Sequence, residues 1–268
     1  GVAACAGASV TTQPGLAGAV LECGARAARR VVLARFERTR NVLDAKDLDL
    51  LERALRETAK EAFTGHSAWT FFRCGALLLD AGRARAVCEA VIAAAGHEAL
   101  PGDSVWTLIE ECVDRVPDVF WEAMERVIST PAPEGGRLLV RLSFRTVAAR
   151  LPVEPVMRWV DHDERRGRLM ASILSFSDDV PSLARALLRR FGASSSIGRA
   201  LGARLGSTPR TVSSLAEFYR ARHAQARRWA EDPDASVRAW ATIVADELRL
   251  EQEAHAEDEA LERRRYGT

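Results

Sequence analysis

Lysine is almost missing from this chain: Lys46 and Lys60 are the only lysines among 38 basic residues, and the remainder are arginine. That bias, alongside abundant alanine, is what a GC-rich bacterial genome produces. The five cysteines, Cys5, Cys23, Cys74, Cys88 and Cys112, are odd in number and never approach CxxC spacing. This argues against a disulfide framework and against a structural zinc site, and reads as buried free thiols. No stretch supplies the roughly 18 uninterrupted apolar residues of a membrane span, and the opening residues lack the basic start and leucine-like run of a signal peptide. The expected location is the cytoplasm, with no membrane partner. Phosphate-binding GxxxxGK, GxGxxG after a strand, HExxH and GxSxG are all lacking. The sequence therefore calls for no catalytic group, no cofactor and no metal.

What is there is the composition of a folded protein, with 47% hydrophobic and 28% charged residues over 268 positions. That length exceeds one compact domain and implies either two domains or an elongated repeat array. Residues 1–15 are too poor in large apolar groups to order and read as a tail. Because the chain begins at Gly1 without a methionine, we expect it to be part of a longer protein.

Apolar residues recur at helical spacing almost throughout, and the alternation of half-buried strands is hard to find. Leu48, Leu51, Leu55, Ala59 and Ala62 form one stripe behind Asp47 as N-cap. Ser67 opens a helix that stops near Gly82, and Gly96 suits the left-handed position after a helix end. Asp103 or Ser104 can cap Val105–Val116, and Pro117 opens Val119–Ile128. Residues 129–136, STPAPEGG, form the clearest break, dividing N-terminal hairpins at 16–134 from a C-terminal part at 135–268. Further helices are expected at Arg137–Arg150, Val153–Val160, Asp163–Phe176, Val180–Phe191, Ser194–Leu205, Thr211–Ala230 and from Asp234 to about Arg264. Helices this short with links this short pack as antiparallel hairpins, and hairpins must stack to bury their apolar faces.

One stretch occurs twice. RWVDHDERRGRLMASIL at Arg158–Leu174 and RWAEDPDASVRAWATIVADEL at Arg228–Leu248 pair Trp159 with Trp229, Arg168 with Arg238, Ala171 with Ala241 and Ile173 with Ile243, at a constant offset of 70 residues. Two hairpins of about 35 residues give that offset. DPDASVRAWA, Asp232–Ala241, resembles the turn and second-helix start of HEAT repeats, through Asp232, Pro233, Asp234, Val237, Arg238 and Ala241. The earlier copy keeps Asp161, Asp163, Arg168 and Ala171 but has Gly167 in place of valine, which weakens its packing. The resemblance implies an all-α fold of antiparallel helical hairpins stacked as a HEAT-like α-solenoid. It also implies a scaffold that binds proteins or, in some branches, nucleic acid, with catalysis uncommon. HEAT-like tails accompany large NTPases of bacterial phage defence, and one HEAT-like family removes alkylated DNA bases. On the residues alone, Asp234 caps the helix that follows, Arg238 reaches an aspartate of the adjacent repeat, and Trp159 and Trp229 seal their hairpins. The same turn accounts for Asp161 and Asp163 beside His162 without a metal.

Charge is distributed unevenly. Residues 180–230 hold ten arginines against Glu217 alone, net +9, while residues 231–262 are net −9, so an overall +1 hides a strongly polar chain. The buried stripe Leu183, Leu187 and Phe191 turns Arg185 and Arg189 away from the core. Arg185, Arg189, Arg199, Arg204, Arg222 and Arg228 are the candidate contacts to a partner protein or to phosphates. The competing expectation is that the acidic C-terminal helix covers them. That helix has no large apolar residue between Leu250 and Leu261, so its end should leave the body, held by pairs such as Arg249 with Glu253 and Glu259 with Arg263. The leading reading is a non-catalytic scaffold or sensor module for another protein, within a larger bacterial assembly. The alternative is a nucleic-acid binder, with a DNA-glycosylase variant built on Trp159, Asp161 and Asp163.

Overall fold

The computed structural model describes Leu33 and residues 43–61, 65–97, 102–130, 132–143, 145–207 and 214–266. The expected tail at 1–15, together with Cys5, Cys23, Ala62 and Arg210, lies outside the described residues. Among the described residues there are twelve α-helices, one 3-10 turn and no strand, and no helix is long and apolar enough to cross a membrane. The chain divides into two compact units, Gly1–Arg141 and Leu142–Thr268.

The first unit contains α1 (Ala45–Thr58), α2 (Gly65–Asp80), α3 (Ala84–Gly96), α4 (Asp103–Arg115), α5 (Pro117–Ser129) and most of α6 (Pro133–Leu142). Its helix ends differ from the expectations in instructive ways. Asp44, not Asp47, caps α1, accepting the Asp47 amide at 2.8 Å, so Asp47 stands in the first turn where its charge favours the positive end of the helix. Gly102, not Asp103 or Ser104, stands at the N-cap of α4, and Asp103 lies in its first turn. Gly96 is not left-handed; a Cβ there would lie 3.2 Å from the Glu134 carbonyl oxygen, so the glycine lets α6 come close to the end of α3. Arg137 and Arg141 then donate to the free carbonyls of Gly96 and Ala95, at 2.8 and 2.6 Å. Pro117 does open α5.

Packing in this unit joins each helix both to the next and to the one after it: α1 lies on α2 and α3, α2 on α3 and α4, α3 on α4 and α5, and α4 on α5. Ion pairs fix the direction. Arg83, at the N-cap of α3, meets Asp49 and Glu52 of α1, and one turn or two further along, Arg56 of α1 meets Glu89 of α3. Glu89 also takes Arg126 of α5, while Arg85 meets Glu122. Partner numbers rise together, so α1, α3 and α5 run the same way. The links Arg56 to Glu89, Asp80 to Arg115 and Glu89 to Arg126 span 33, 35 and 37 residues. Cys74, Cys88 and Cys112 are buried free thiols, and hydrogen bonding with Cys88, then burial, pushes the Cys112 thiol far above its usual range.

The second unit opens where one helix was expected over Arg137–Arg150. Instead α6 ends at Leu142 and a 3-10 turn covers Thr146–Arg150. Leu142, Val147, Ala148 and Leu151 are all buried, so the apolar spacing continues while the backbone tightens. There follow α7 (Val153–Val160), α8 (Glu164–Ile173), α9 (Ser182–Phe191), α10 (Ser196–Leu205), α11 (Leu215–Trp229) and α12 (Ala235–Tyr266). α7 packs on α9, α8 on α10, α9 on α12, and α11 along α12. Phe176, Trp229 and Trp240 form the aromatic centre: ring centroids lie 5.6 to 6.0 Å apart, and the two indoles donate to the Asp178 and Gly198 carbonyls at 2.9 Å.

Gly167 does not weaken the packing of α8, as its departure from valine suggested. A Cβ there would lie 2.7 Å from Ile197 Cδ1 and 3.2 Å from Phe191, so side chains from α10 and α9 occupy the space that valine would fill. Nor does the end of α12 leave the body where large apolar residues run out. Tyr219 of α11 stacks flat on His255 at 5.2 Å. Glu259 closes the start of α11, accepting from the Ser214 hydroxyl at 3.0 Å and the Ala216 amide at 3.2 Å. Arg263 consequently donates to the Glu259 carbonyl rather than to its carboxylate. The Arg249 to Glu253 pair forms as expected, at 2.8 Å.

Gly198 gives this packing a sharp test. A Cβ on Gly198 would sit 2.0 Å from the Ala193 carbonyl oxygen, a backbone atom that no rotamer change can move. Gly198→Ala is expected to cost about 1–3 kcal/mol in urea unfolding. Gly136→Ala, which meets nothing within 4 Å, is expected to gain about 0.5–1 kcal/mol from helix propensity. Equal midpoints for the two variants would contradict the close approach at α10.

Candidate functional site

The repeated turn is the most elaborated local structure in the second unit. In the later copy Trp229 ends α11 with its ring buried, and the chain turns through Glu231–Asp234 into α12. Asp232 accepts the Asp234 amide and Asp234 accepts the Ser236 amide, both at 2.9 Å, so two aspartates in series stabilise the turn and cap the helix. Arg238 folds back onto the carbonyls of Asp232 and Pro233, both at 2.8 Å. It therefore fastens its own turn and does not reach an aspartate of the adjacent hairpin.

The two aspartates of this turn instead take arginines from α9. Arg185 of α9 grips Asp232 in a two-pronged pair, both prongs at 2.6 Å, and Arg189 donates to Asp234 at 2.7 Å. The Asp232 side chain is 8% exposed and that of Arg185 25%, whereas Arg189 keeps 64% of its side chain in solvent. The hydrogen bond from Arg185 holds the Asp232 carboxyl below the usual carboxylate range, aided by the Asp234 amide, against the opposing effect of burial. At Asp234 burial pushes upward, and the Ser236 amide and Arg189 more than reverse it. The acids facing these two arginines thus belong to the repeat turn, not to the acidic far end of α12.

The earlier copy is built differently. Asp161 takes a positive φ of 48° at the end of α7, and its carbonyl accepts from Arg190 at 3.1 Å. Asp163 caps α8 through the Arg165 and Arg166 amides. Trp159 is buried, with the Arg166 guanidinium 5.0 Å above its ring and donating to its carbonyl at 2.7 Å. Arg166, not Arg168, therefore does in this copy what Arg238 does in the later one, and Arg168 is exposed. His162 Nε2 lies 4.0 Å from the Asp161 carboxylate, and no group of three potential metal ligands occurs among the described residues.

The six candidate arginines do not form one strip. Arg204 inserts its guanidinium between the Leu174 and Ser143 carbonyls, and burial disfavours its charged form. Arg222 is also depressed by burial; it donates to Gln225 at 2.7 Å and lies over Phe218, while Gln225 hydrogen-bonds the Ser177 carbonyl. Arg199 donates to the Ser194 carbonyl at 2.9 Å. Arg228 is exposed, and with it Arg220 and Arg227, which the sequence reading counted but did not select. These three share the outward face of α11 with Ala221 and Ala224, and none has an ion pair among the described residues. Their signal was available in the sequence: positions 220, 227 and 228 fall with Ala221 and Ala224 within an arc of about 120° at 3.6 residues per turn, on the side away from Ala226 and Trp229. Comparison with known protein families, characterised proteins and solved structures returns no match for this chain.

The two turn pairs should differ in worth. Arg185→Met leaves a withdrawn carboxylate unpaired and is expected to cost about 2–4 kcal/mol at neutral pH, near the range for breaking a buried pair. Arg189→Met removes an exposed partner and is expected to cost about 0.5 kcal/mol. Asp232 has a folded-state value below its unfolded one of about 3.9, so its contribution is complete above that pH and is lost as pH falls through the folded value. The gap between the parent chain and Arg185→Met in urea melts should therefore narrow from pH 5 downward. A gap independent of pH means that Asp232 does not carry it.

Proposed function

We propose that this chain is a non-catalytic helical-repeat module, each unit a HEAT-like stack of hairpins, whose work is to bind another protein as a scaffold or sensor in the bacterial cytoplasm. One observation carries the reading. Links between like helices recur at separations of 33, 35 and 37 residues in the first unit, the spacing that half of the 70-residue echo demands in the second. A stack of this kind buries one side of each helix against its neighbours and leaves the other side free for a partner.

The nucleic-acid reading keeps support from the exposed arginines of the basic segment that meet no carboxylate among the described residues, Arg190, Arg199, Arg220, Arg227 and Arg228. Arg185 and Arg189, first choices for gripping phosphates, already neutralise Asp232 and Asp234. The glycosylase variant asks Trp159 to stack on an extruded base, yet that ring is buried. Titrating the chain with duplex DNA at several salt concentrations separates the readings. The expected result is binding no tighter than the non-specific range of about 10⁻⁴–10⁻⁶ M at physiological salt. Tight binding with a steep salt slope, lost in the triple variant Arg220→Glu, Arg227→Glu and Arg228→Glu, would replace a protein partner with nucleic acid. Turnover of a substrate by the purified chain would end the non-catalytic reading.

A further inference from the structure

α12 has two apolar faces, and only one is used by the fold. Val237, Trp240, Ala241, Val244, Ala245 and Leu248 are buried against the rest of the second unit. On the opposite side Ala239, Ile243, Leu250, Ala254 and Leu261 face solvent, and at 100° per residue all five fall within an arc of about 60°. Ile243, Leu250 and Leu261 are 37%, 57% and 61% exposed, half of the exposed large hydrophobics among the described residues. The stripe from Ile243 to Leu261 is about 27 Å long at 1.5 Å per residue. Scattered exposed leucines need no explanation, but an aligned row on a helix already satisfied on its other side does.

Two features specify what lies on this row. Its pattern repeats every eleven residues: Ala239, Leu250 and Leu261 in one series, Ile243 and Ala254 in another. Eleven residues make three turns at 3.67 per turn, close to the natural α-helix, so a partner helix with the same repeat follows the row with little supercoiling. Both margins are acidic. Asp246 and Glu257 flank one side, Glu247 and Asp258 the other, again eleven residues apart, and none of the four has an ion pair among the described residues. A second copy of α12 laid parallel on the row sets carboxylates against carboxylates, and an antiparallel copy with Leu250 against Leu261 brings Arg264 and Arg265 to Asp246 and Glu247 but leaves Glu257 and Asp258 facing Glu253 and Glu251.

We propose that this row is a docking surface for a basic amphipathic helix of a partner protein, with aliphatic residues in an eleven-residue repeat and lysine or arginine on both margins. The proposal rests on the protein-binding reading above and names the surface and the partner's chemistry. Aliphatic residues on the partner cover Ile243, Leu250 and Leu261, while its cations meet Asp246, Glu247, Glu257 and Asp258, supplying orientation and rejecting acidic helices.

The test uses the full chain and a labelled 22-residue helical peptide of leucine, alanine and lysine, its leucines in the eleven-residue repeat and its lysines on their margins. Fluorescence anisotropy near physiological salt is expected to give saturable binding. A peptide with glutamate replacing lysine, and a scrambled peptide of the same composition, should each bind at least tenfold more weakly. Leu250→Ser with Leu261→Ser should weaken the lysine peptide at least tenfold with the circular dichroism of the chain unchanged. Exchanging Asp246, Glu247, Glu257 and Asp258 for lysine should reverse the preference, so that the glutamate peptide binds better. Equal binding of the scrambled peptide, or indifference to either set of substitutions, overturns the proposal. So does a stable dimer in sedimentation equilibrium that the serine substitutions dissolve, since the occupant is then a second copy. If the peptide fails while the immobilised chain still retains a purified partner unaffected by those substitutions, this surface is wrong and the protein-binding reading stands.

Discussion

A single withdrawn carboxylate organises the second unit. Asp232 keeps only 8% of its side chain in solvent, and a charge so withdrawn is tolerated only with a partner of matching geometry. Arg185 supplies the planar fork, and in doing so ties α9 to the hairpin of α11 and α12 across 47 residues of sequence. The same carboxylate also holds the Asp234 amide, so the turn and its contact with α9 cannot be separated. Lysine in place of Arg185 would present one charge where two parallel hydrogen bonds are needed. An arginine-rich composition, whatever its genomic origin, here serves geometry.

The first unit solves the same problem without burial. Its charged links, Arg56 with Glu89 and Glu89 with Arg126, stay at the surface, where each contributes little and salt screens it. Registration of α1, α3 and α5 there depends chiefly on the apolar interior, with Leu51, Leu55, Val87, Val91 and Phe120 fully covered. The two units thus hold successive helices together by different balances of the same forces.

Much of the helical layout was legible because it depends on local periodicity. α7 stands at Val153–Val160, the span read from its apolar spacing, and Pro117 opens α5 as its fixed backbone requires. The 3-10 turn at Thr146–Arg150 was not legible, since over five residues a period of 3.0 cannot be told from 3.6. The arginines show the deeper limit. Helical phase indicated that Arg185 and Arg189 point away from the core of their own helix, and they do; which acids await them depends on a contact 45 or more residues away. Glu259 is another such case, because its place at the start of α11 follows from the register of a hairpin rather than from any neighbour in sequence. The outward row on α12 was hidden differently: its leucines are spaced so widely that they read as a shortage of apolar residues until the opposite face is known to be occupied.

The stacked indoles of Trp229 and Trp240 carry an optical consequence. With ring centroids 6.0 Å apart and planes inclined by 22°, their electronic transitions mix, and such a pair gives paired bands of opposite sign in circular dichroism. Separation of the rings on melting extinguishes those bands. The second unit therefore holds an intrinsic chromophore that follows its own unfolding without any label.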